Sequence, residues 1–431
     1  MTLLSTLARR LGNAAADRYS LLLIFLWGTT VRILYFAVTP HLIRTYDTPQ
    51  HIDYIVYVLR NFSIPPSASG WEMHQPPVYY FLAAFWTKLI EWMGRSPEAL
   101  PANLQWLSLL LSIATLAVIV WIGMILFPKK EQRPQAMLFG LVVGTLPGIA
   151  MSASRINNDS LSFLVSFLWL AVALRWWKSG QAADFWLAAV ITGTALLIKF
   201  TAGVVLLPML ILVLVHRQTP PKKRLLLATG VLCTVALLSG WYFAFRSIEY
   251  FDRFLPGGSK DLNEFLFIQN HVLDFLIFNP LAVLQMPFAN PWDAFSGREN
   301  IWEFLFRSAF FGEWTFARLV WLGRLIIATA LLGIVPAVAG IIRGWRRDVF
   351  FLPLAILAAS LLLMLSMYRI GFPCACNQDF RLVPLLSIPF AAWTIAGFFG
   401  YGKPGQRWAL LWALSLATLQ SLFLLSFLVM A

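Results

Sequence analysis

TYDTPQHIDYIVYVLRNFSIPPSASGWEMHQPPVYY, residues 45–80, is the first polar interruption in a very apolar sequence. It gathers Asp47, His51, Asp53, Glu72, His74 and Gln75 in one short run, beside Pro76 and Pro77 and among aromatic residues. No other stretch is as dense in groups that can do chemistry. Around it, 59% of the 431 residues are hydrophobic and only 12% are charged, whereas a soluble domain carries about a quarter charged residues. The apolar segments run to roughly 17–25 residues, the length an α-helix needs to cross about 30 Å of hydrocarbon, and they lack the alternation of barrel strands. The chain therefore reads as an all-α polytopic membrane protein. The first apolar segment follows Arg9, Arg10 and Arg18, is long and leads to no small-residue cleavage site, so a retained helix is expected. The three cysteines support no disulfide framework: Cys233 lies in an apolar run, and Cys374 and Cys376 are too close in sequence for an unstrained bridge.

Hydropathy predicts about 11 transmembrane helices, at 19–38, 104–127, 135–151, 160–177, 184–198, 201–216, 224–245, 319–342, 349–367, 382–400 and 407–430. The fifth and sixth are short and meet at a tight turn, Lys199 to Thr201. Charge gives an orientation, because Lys and Arg accumulate in cytoplasmic segments. With the N-terminus inside, Arg9, Arg10, Arg18, Lys129, Lys130, Arg133, Arg175, Lys178, Arg217, Lys222, Lys223, Arg224, Arg343, Arg346, Arg347, Lys403 and Arg407 fall in the cytoplasm, against Asp17, Glu131, Asp184 and Asp348. Seventeen cations less four acids accounts for the whole net charge of +13. The basic balance is thus a topology signal, and no nucleic-acid partner is needed to explain it. Residues 39–103 become a first outer loop with interfacial helices and 246–318 a large outer loop, within a single membrane domain over 1–431. The turns at 152–160, 199 and 370–383 share the outer face. The large loop is expected to hold an amphipathic helix near 261–278 and a turn-rich NPWDAFSG from Asn290. No repeat, low-complexity tract or soluble terminal domain stands out.

Several of these polar groups have both a plain structural reading and a chemical one. Pro49 suits the first position of a helix that Asp47 or Thr48 could cap. Along it Ile52, Ile55, Val56 and Leu59 share one face, and Asp47, His51 and Tyr54 another, as in an interfacial helix with its polar side toward a cavity. Asp53 is left as an ordinary surface charge. Pro76-Pro77 restarts a helix at whose beginning Glu72, His74 and Gln75 lie; Glu72 and His74 could bind a divalent cation or simply cap and line the interface. Asn157-Asn158-Asp159 precedes an apolar run, with Asp159 or Ser160 as an N-cap candidate. Lys199 lies between two apolar runs, where an ammonium either snorkels to headgroups or meets an anion. Arg381 stands similarly before the tenth span, with Asp379 as a possible partner and phosphate as another.

Taken in this order, these motifs resemble the GT-C superfamily, the polytopic glycosyltransferases that use polyprenyl-phosphate sugars. It includes protein O-mannosyltransferases, lipid A aminoarabinose transferases and the bacterial RgtA/B/C/D-like group. The likeness runs from end to end. The first outer loop has an Asp near its start (Asp47-Thr48-Pro49-Gln50-His51) and a Q-P-P-V-Y-Y element (Gln75 to Tyr80). An N-x-D turn (Asn157 to Asp159), a Lys after a small-apolar helix (Ile198-Lys199-Phe200-Thr201) and a Q-x-x-R-L element (Gln378 to Leu382) follow. Two departures are Thr48 where a Glu usually follows the Asp, and Gln75 where the aminoarabinose branch has Lys.

The resemblance implies a sugar moved from a polyprenyl-phosphate donor to a hydroxyl of a lipid, glycan or protein acceptor, with inversion, at the outer face of the cell (inner) membrane. It implies Asp47 as catalytic base with Asp159 assisting, and Lys199 and Arg381 for the leaving phosphate. His51, Gln75 and Tyr80 are the further substrate contacts. No cofactor is required; a divalent cation at Glu72 and His74 is the alternative. Two other readings compete. An O-antigen-ligase or polymerase-like enzyme would rely on Arg and His of the large loop. A lipid-carrier transporter or flippase would carry charged or broken elements at the bilayer midplane in paired halves. A catalytically dead, binding relative is a third.

Overall fold

The computed structural model describes residues 19–45, 47–94, 96–249, 264–294, 297–345 and 348–430, and each apolar stretch named above is helical in it. Among the described residues the only β pairing is an isolated antiparallel bridge between Phe267 and Cys374. Seven of the described helices are long and apolar enough to cross a bilayer, or eight if Lys130–Gly144 and Pro147–Ser154, bent by 60°, form one broken span. Shorter apolar helices at Ala182–Ile198, Phe200–Val215 and Pro384–Phe399 occupy the remaining stretches. The chain is a multi-pass membrane protein of α-helices.

It forms two compact units, one built from Tyr35–Thr115 and Met151–Asn263, the other from Met1–Leu34, Leu116–Ala150 and Glu264–Ala431. In the first, the helix Thr48–Asn61 carries Pro49 in its first turn and ends before Phe62, whose left-handed backbone stops the helix. Its buried residues, Thr48, His51, Tyr54, Ile55 and Val58, recur at helical spacing. The side carrying His51 and Tyr54 is thus packed inward, not turned to an open cavity as the sequence suggested. It meets the helix Val78–Trp92, whose Tyr79, Tyr80, Ala83 and Ala84 are buried. Leu104, Leu107, Leu111, Ile156, Leu161 and Ile198 complete that core.

Three features of this unit place polar groups. The turn 151–158 is held by side chains of the helix Leu100–Leu126: Gln105 donates to the Ser154 carbonyl at 2.9 Å and Ser108 to the Arg155 carbonyl at 2.6 Å. The helix Ala182–Ile198 breaks at Lys199, whose backbone is extended (φ −156°, ψ 135°) before a 3-10 turn over Phe200–Val205. The span beginning at Pro221 passes through a π-helical turn, Ala236–Gly240, before continuing as Trp241–Glu249.

In the second unit, Ile334–Gly344 and Ser387–Phe399 pack most intimately. A Cβ on Gly340 would collide with the Trp393 carbonyl, and one on Gly397 with the Pro336 carbonyl, so glycine permits the approach. Gly402–Met430 packs on Arg133–Gly144 and on Val320–Leu331. The helix Ile301–Phe311 is capped by Asn300, whose side chain accepts from the Trp302 and Glu303 amides. The amphipathic helix expected near 261–278 is not formed. Residues 261–263 lie outside those described, and the rest is turns at Glu264–Leu266 and Val272–Phe275, the second closed by Asp274 accepting from the His271 amide at 3.3 Å. Asn270 breaks the stretch further by turning its side chain to Arg369.

Candidate active site

The first unit gathers three of the motifs. Lys199 donates to Asp159 Oδ1 from the break after Ile198, its side chain 12% exposed and that of Asp159 2%. The other oxygen of Asp159 accepts from Asn157 Nδ2 at 3.1 Å. Asn158, at the N-cap position, makes no capping bond; its amide donates to the Ile198 carbonyl at 3.3 Å and to Gln75 Oε1 at 3.1 Å. The turn before one helix, the break after another and the residue preceding Pro76-Pro77 are thus joined in one network.

The orientation of Gln75 follows from His74. His74 Nδ1 lies 2.8 Å from the Trp71 carbonyl, which can only accept, so Nδ1 carries the proton. Burial, opposed by that hydrogen bond and reinforced by the Arg246 charge, lowers the His74 pKa below the usual imidazole range, so the ring is neutral at pH 7. Its Nε2 then accepts from the Gln75 amide nitrogen, 3.4 Å away, leaving Gln75 Oε1 for Asn158.

A second group lies between the two interfacial helices. His51 Nδ1 and the Tyr80 hydroxyl share a 2.8 Å hydrogen bond, and His51 Nε2 is 3.9 Å from Glu72 Oε2. Tyr80 stacks on Tyr54 with centroids 3.6 Å apart, and Tyr54 donates to the Gln75 carbonyl at 3.3 Å. Burial, with the Glu72 charge, pushes the Tyr80 phenol well above its usual pKa. His51, Glu72, Tyr80 and Gln75 are therefore neighbours, as their clustering in sequence suggested.

Asp47 stands at the N-cap position of Thr48–Asn61 and is half-buried, with its backbone left-handed at φ 56°. Its carbonyl accepts from the His51 amide at 2.9 Å, while its carboxylate makes no cap bond to the helix. A non-glycine residue at such φ carries strain, and strained residues concentrate at functional sites. The capping reading of Asp47 is not what the structure displays.

Glu72 and His74 turn to different partners, Glu72 toward His51 and His74 toward the Trp71 carbonyl. Among the described residues no three His, Cys, Asp or Glu gather as a metal site.

Arg381 belongs to the second unit. Its Nε lies 3.6 Å from Asp379 and its Nη2 3.7 Å from Glu313, while its amide donates to Asp379 Oδ1 at 2.8 Å. Glu313 is buried, and burial together with Asp379 pushes its pKa well above the usual carboxyl range, against the pull of Arg381. Asp379 was visible as a partner from sequence; Glu313 was missed, its one signal being a lone acid in the aromatic run FFGEWTF. Arg246 and Tyr242 were missed as well, because their contacts are to backbone carbonyls far back in the chain.

Comparison with known proteins bears on this geometry. Residues 74–243 match the model of the dolichyl-phosphate-mannose-protein mannosyltransferase family. The matched segment carries Gln75-Pro76-Pro77, Asn157 to Asp159 and Lys199, and supports the GT-C resemblance read from them. Comparison with curated proteins returns no match. Among solved structures, ArnT from Cupriavidus metallidurans in the apo state is similar at 14% identity and a TM-score of 0.43, covering 93% of this chain and 77% of that one. The same protein bound to undecaprenyl phosphate gives 15% identity with the same coverage and TM-score.

Proposed function

We propose, for a chain similar over residues 74–243 to the dolichyl-phosphate-mannose-protein mannosyltransferases of the GT-C superfamily, a membrane glycosyltransferase using a polyprenyl-phosphate sugar. The observation that carries this reading is the network joining Gln75, Asn158, Asp159 and Lys199, three motifs distant in sequence and contiguous in space. The reaction is an acceptor hydroxyl attacking the anomeric carbon of the donor at the outer face of the cell membrane. The bond from that carbon to the phosphate oxygen breaks, the polyprenyl phosphate leaves with the bonding pair, and the acceptor proton passes to Asp47. Attack opposite the leaving group inverts the anomeric carbon.

Each role has a physical basis. A carboxylate at a helix N-terminus stays ionised, so Asp47 accepts its proton late, as the acceptor oxygen bonds to carbon. The leaving phosphate gains charge and needs cations aimed at it. Lys199 has three donors on a flexible stem, so it can keep Asp159 on one N–H while offering another to phosphate. Asp159 fixes that ammonium and, as the resemblance implies, assists Asp47 at the acceptor hydroxyl. Arg381, which lies beside the carboxylates of Asp379 and Glu313, keeps the phosphate-binding role that the resemblance implies. Gln75 is assigned to the sugar or its linkage, and the buried His51–Tyr80 pair is assigned there as the resemblance implies, reached when the donor enters between the two interfacial helices. The acceptor is a lipid, glycan or protein hydroxyl.

The test is transfer of radiolabelled sugar from polyprenyl-phosphate donors in proteoliposomes, comparing wild type with Lys199→Ala. Transfer by the wild type and its loss in the variant is the expected result. Equal rates in both would remove Lys199 from the site, and no transfer from any such donor would overturn the reading.

A further inference from the structure

The segment between the interfacial helices, residues 62–77, has only a 3-10 turn at Ser67–Ser69 for regular structure, yet it carries Glu72, His74 and Gln75. Three of its carbonyls converge on two side chains at the end of the span beginning at Pro221. Arg246 donates from Nη1 to the Pro65 carbonyl at 3.1 Å and from Nη2 to the Met73 carbonyl at 2.7 Å. Its Nε donates to the Tyr242 hydroxyl at 3.1 Å, and that hydroxyl donates to the His74 carbonyl at 2.8 Å. Both side chains are buried, and the guanidinium lies over the Tyr242 and Phe245 rings, 5.4 and 5.6 Å from their centroids. They are four residues apart on one helix face, immediately after the π-helical turn Ala236–Gly240, which resets where that face points.

We propose that Arg246 and Tyr242 are positioning residues: a latch that fixes the backbone on either side of Glu72 and so sets the approach of Gln75 to Asn158 and Lys199. The inference rests on the function proposed above. Backbone carbonyls at Pro65, Met73 and His74 are bound irrespective of the loop's side chains, so the latch fixes the main-chain path without using Glu72, His74 or Gln75 as anchors. A planar fork reaches two carbonyls and a hydroxyl in three directions; an ammonium is compact and holds fewer of them at once.

The test pairs two readings of Arg246→Gln, Arg246→Lys and Tyr242→Phe in the full chain reconstituted in proteoliposomes. One is amide hydrogen exchange over residues 65–77; the other is kcat and donor KM for transfer from radiolabelled undecaprenyl-phosphate sugars, per folded protein. The latch predicts exchange faster by at least about tenfold in Arg246→Gln and Tyr242→Phe, since each variant loses at least one buried hydrogen bond to the loop. It predicts kcat lower by roughly 10- to 100-fold from misplacement of the site, with donor KM within about threefold. Arg246→Lys falls between these variants and wild type in both readings. Unchanged exchange overturns the latch. Faster exchange with unchanged kcat, or a kcat loss that only tracks unfolded protein, overturns the positioning role. Absence of transfer by the wild type refutes the glycosyltransferase reading instead, and the exchange measurement still decides whether the two residues hold the loop.

Discussion

Lys199 reaches Asp159 across forty residues of chain, and the two meet where neither helix continues: at the extended break after Ile198 and in the first turn beginning at Asp159. Removing one member leaves the other charge buried. Lys199→Ala should therefore destabilise the fold by about 3–5 kcal/mol, because an uncompensated buried carboxylate remains. Lys199→Ala combined with Asp159→Asn should restore most of that stability and none of the transfer activity. Thermal unfolding in detergent beside a transfer assay separates the two effects; a double variant as unstable as the single one contradicts this account of the pair.

Asn158→Leu removes the donor to Gln75 Oε1 and to the Ile198 carbonyl while keeping the side chain's approximate size. The expected cost is about 1–3 kcal/mol for acceptors left buried, with transfer reduced at least about tenfold through misplacement of Gln75 and Lys199. A variant with wild-type kcat would show that the network is structural only.

Tyr80→Phe deletes the hydroxyl bound to His51 Nδ1 and keeps the stack on Tyr54. Stability should fall by roughly 1 kcal/mol, the net worth of one hydrogen bond. If Tyr80 touches substrate, donor KM rises with it; an unchanged KM assigns the hydroxyl to holding His51 alone.

Glu313 gives a pH dependence. Its folded pKa is raised by burial, so folding favours the neutral acid. That contribution is complete below pH 4.5, the ordinary glutamate value, and is lost as pH rises through the folded value. Wild type should therefore lose stability as pH is raised through that folded value, and Glu313→Gln, neutral throughout, should lose less over the same range. Identical stability curves for the two proteins would show that the Glu313 carboxyl is not what titrates.

Gly397→Ala places a methyl group against the Pro336 carbonyl where helices Ile334–Gly344 and Ser387–Phe399 cross. Backbone cannot move aside as a flexible side chain can, so a loss of about 1–3 kcal/mol is expected from overpacking. An unchanged melting temperature would mean the helices can part without cost.

Much of this was legible in sequence because it depends on local chemistry. Apolar runs separated by charged turns dictated the helices, and a lone lysine between two short apolar runs marked the break at Lys199. The NND turn and the QPP element were visible as motifs, and their convergence followed from the family likeness. The failures are of another kind. The segment 264–278 has helical periodicity, but Asn270 and Asp274 take side-chain partners that favour turns. Glu313 and Arg246 owe their roles to tertiary partners, Arg381 in one case and the Pro65 and Met73 carbonyls in the other. No spacing rule joins residues so far apart. The burial of His51 and Tyr54 was likewise invisible, since polar groups on a helix face read as solvent-facing until Tyr80 and the Gln75 carbonyl are found against them.

The central claim is that Asp47, held with a left-handed backbone at the head of Thr48–Asn61, takes the acceptor's proton. Asp47→Asn keeps the shape and removes the base. In proteoliposomes supplied with a polyprenyl-phosphate-linked radiolabelled sugar, the variant should transfer about 10²- to 10⁴-fold more slowly than wild type, with the protein folded and donor binding retained. Transfer by Asp47→Asn at the wild-type rate would contradict the assignment.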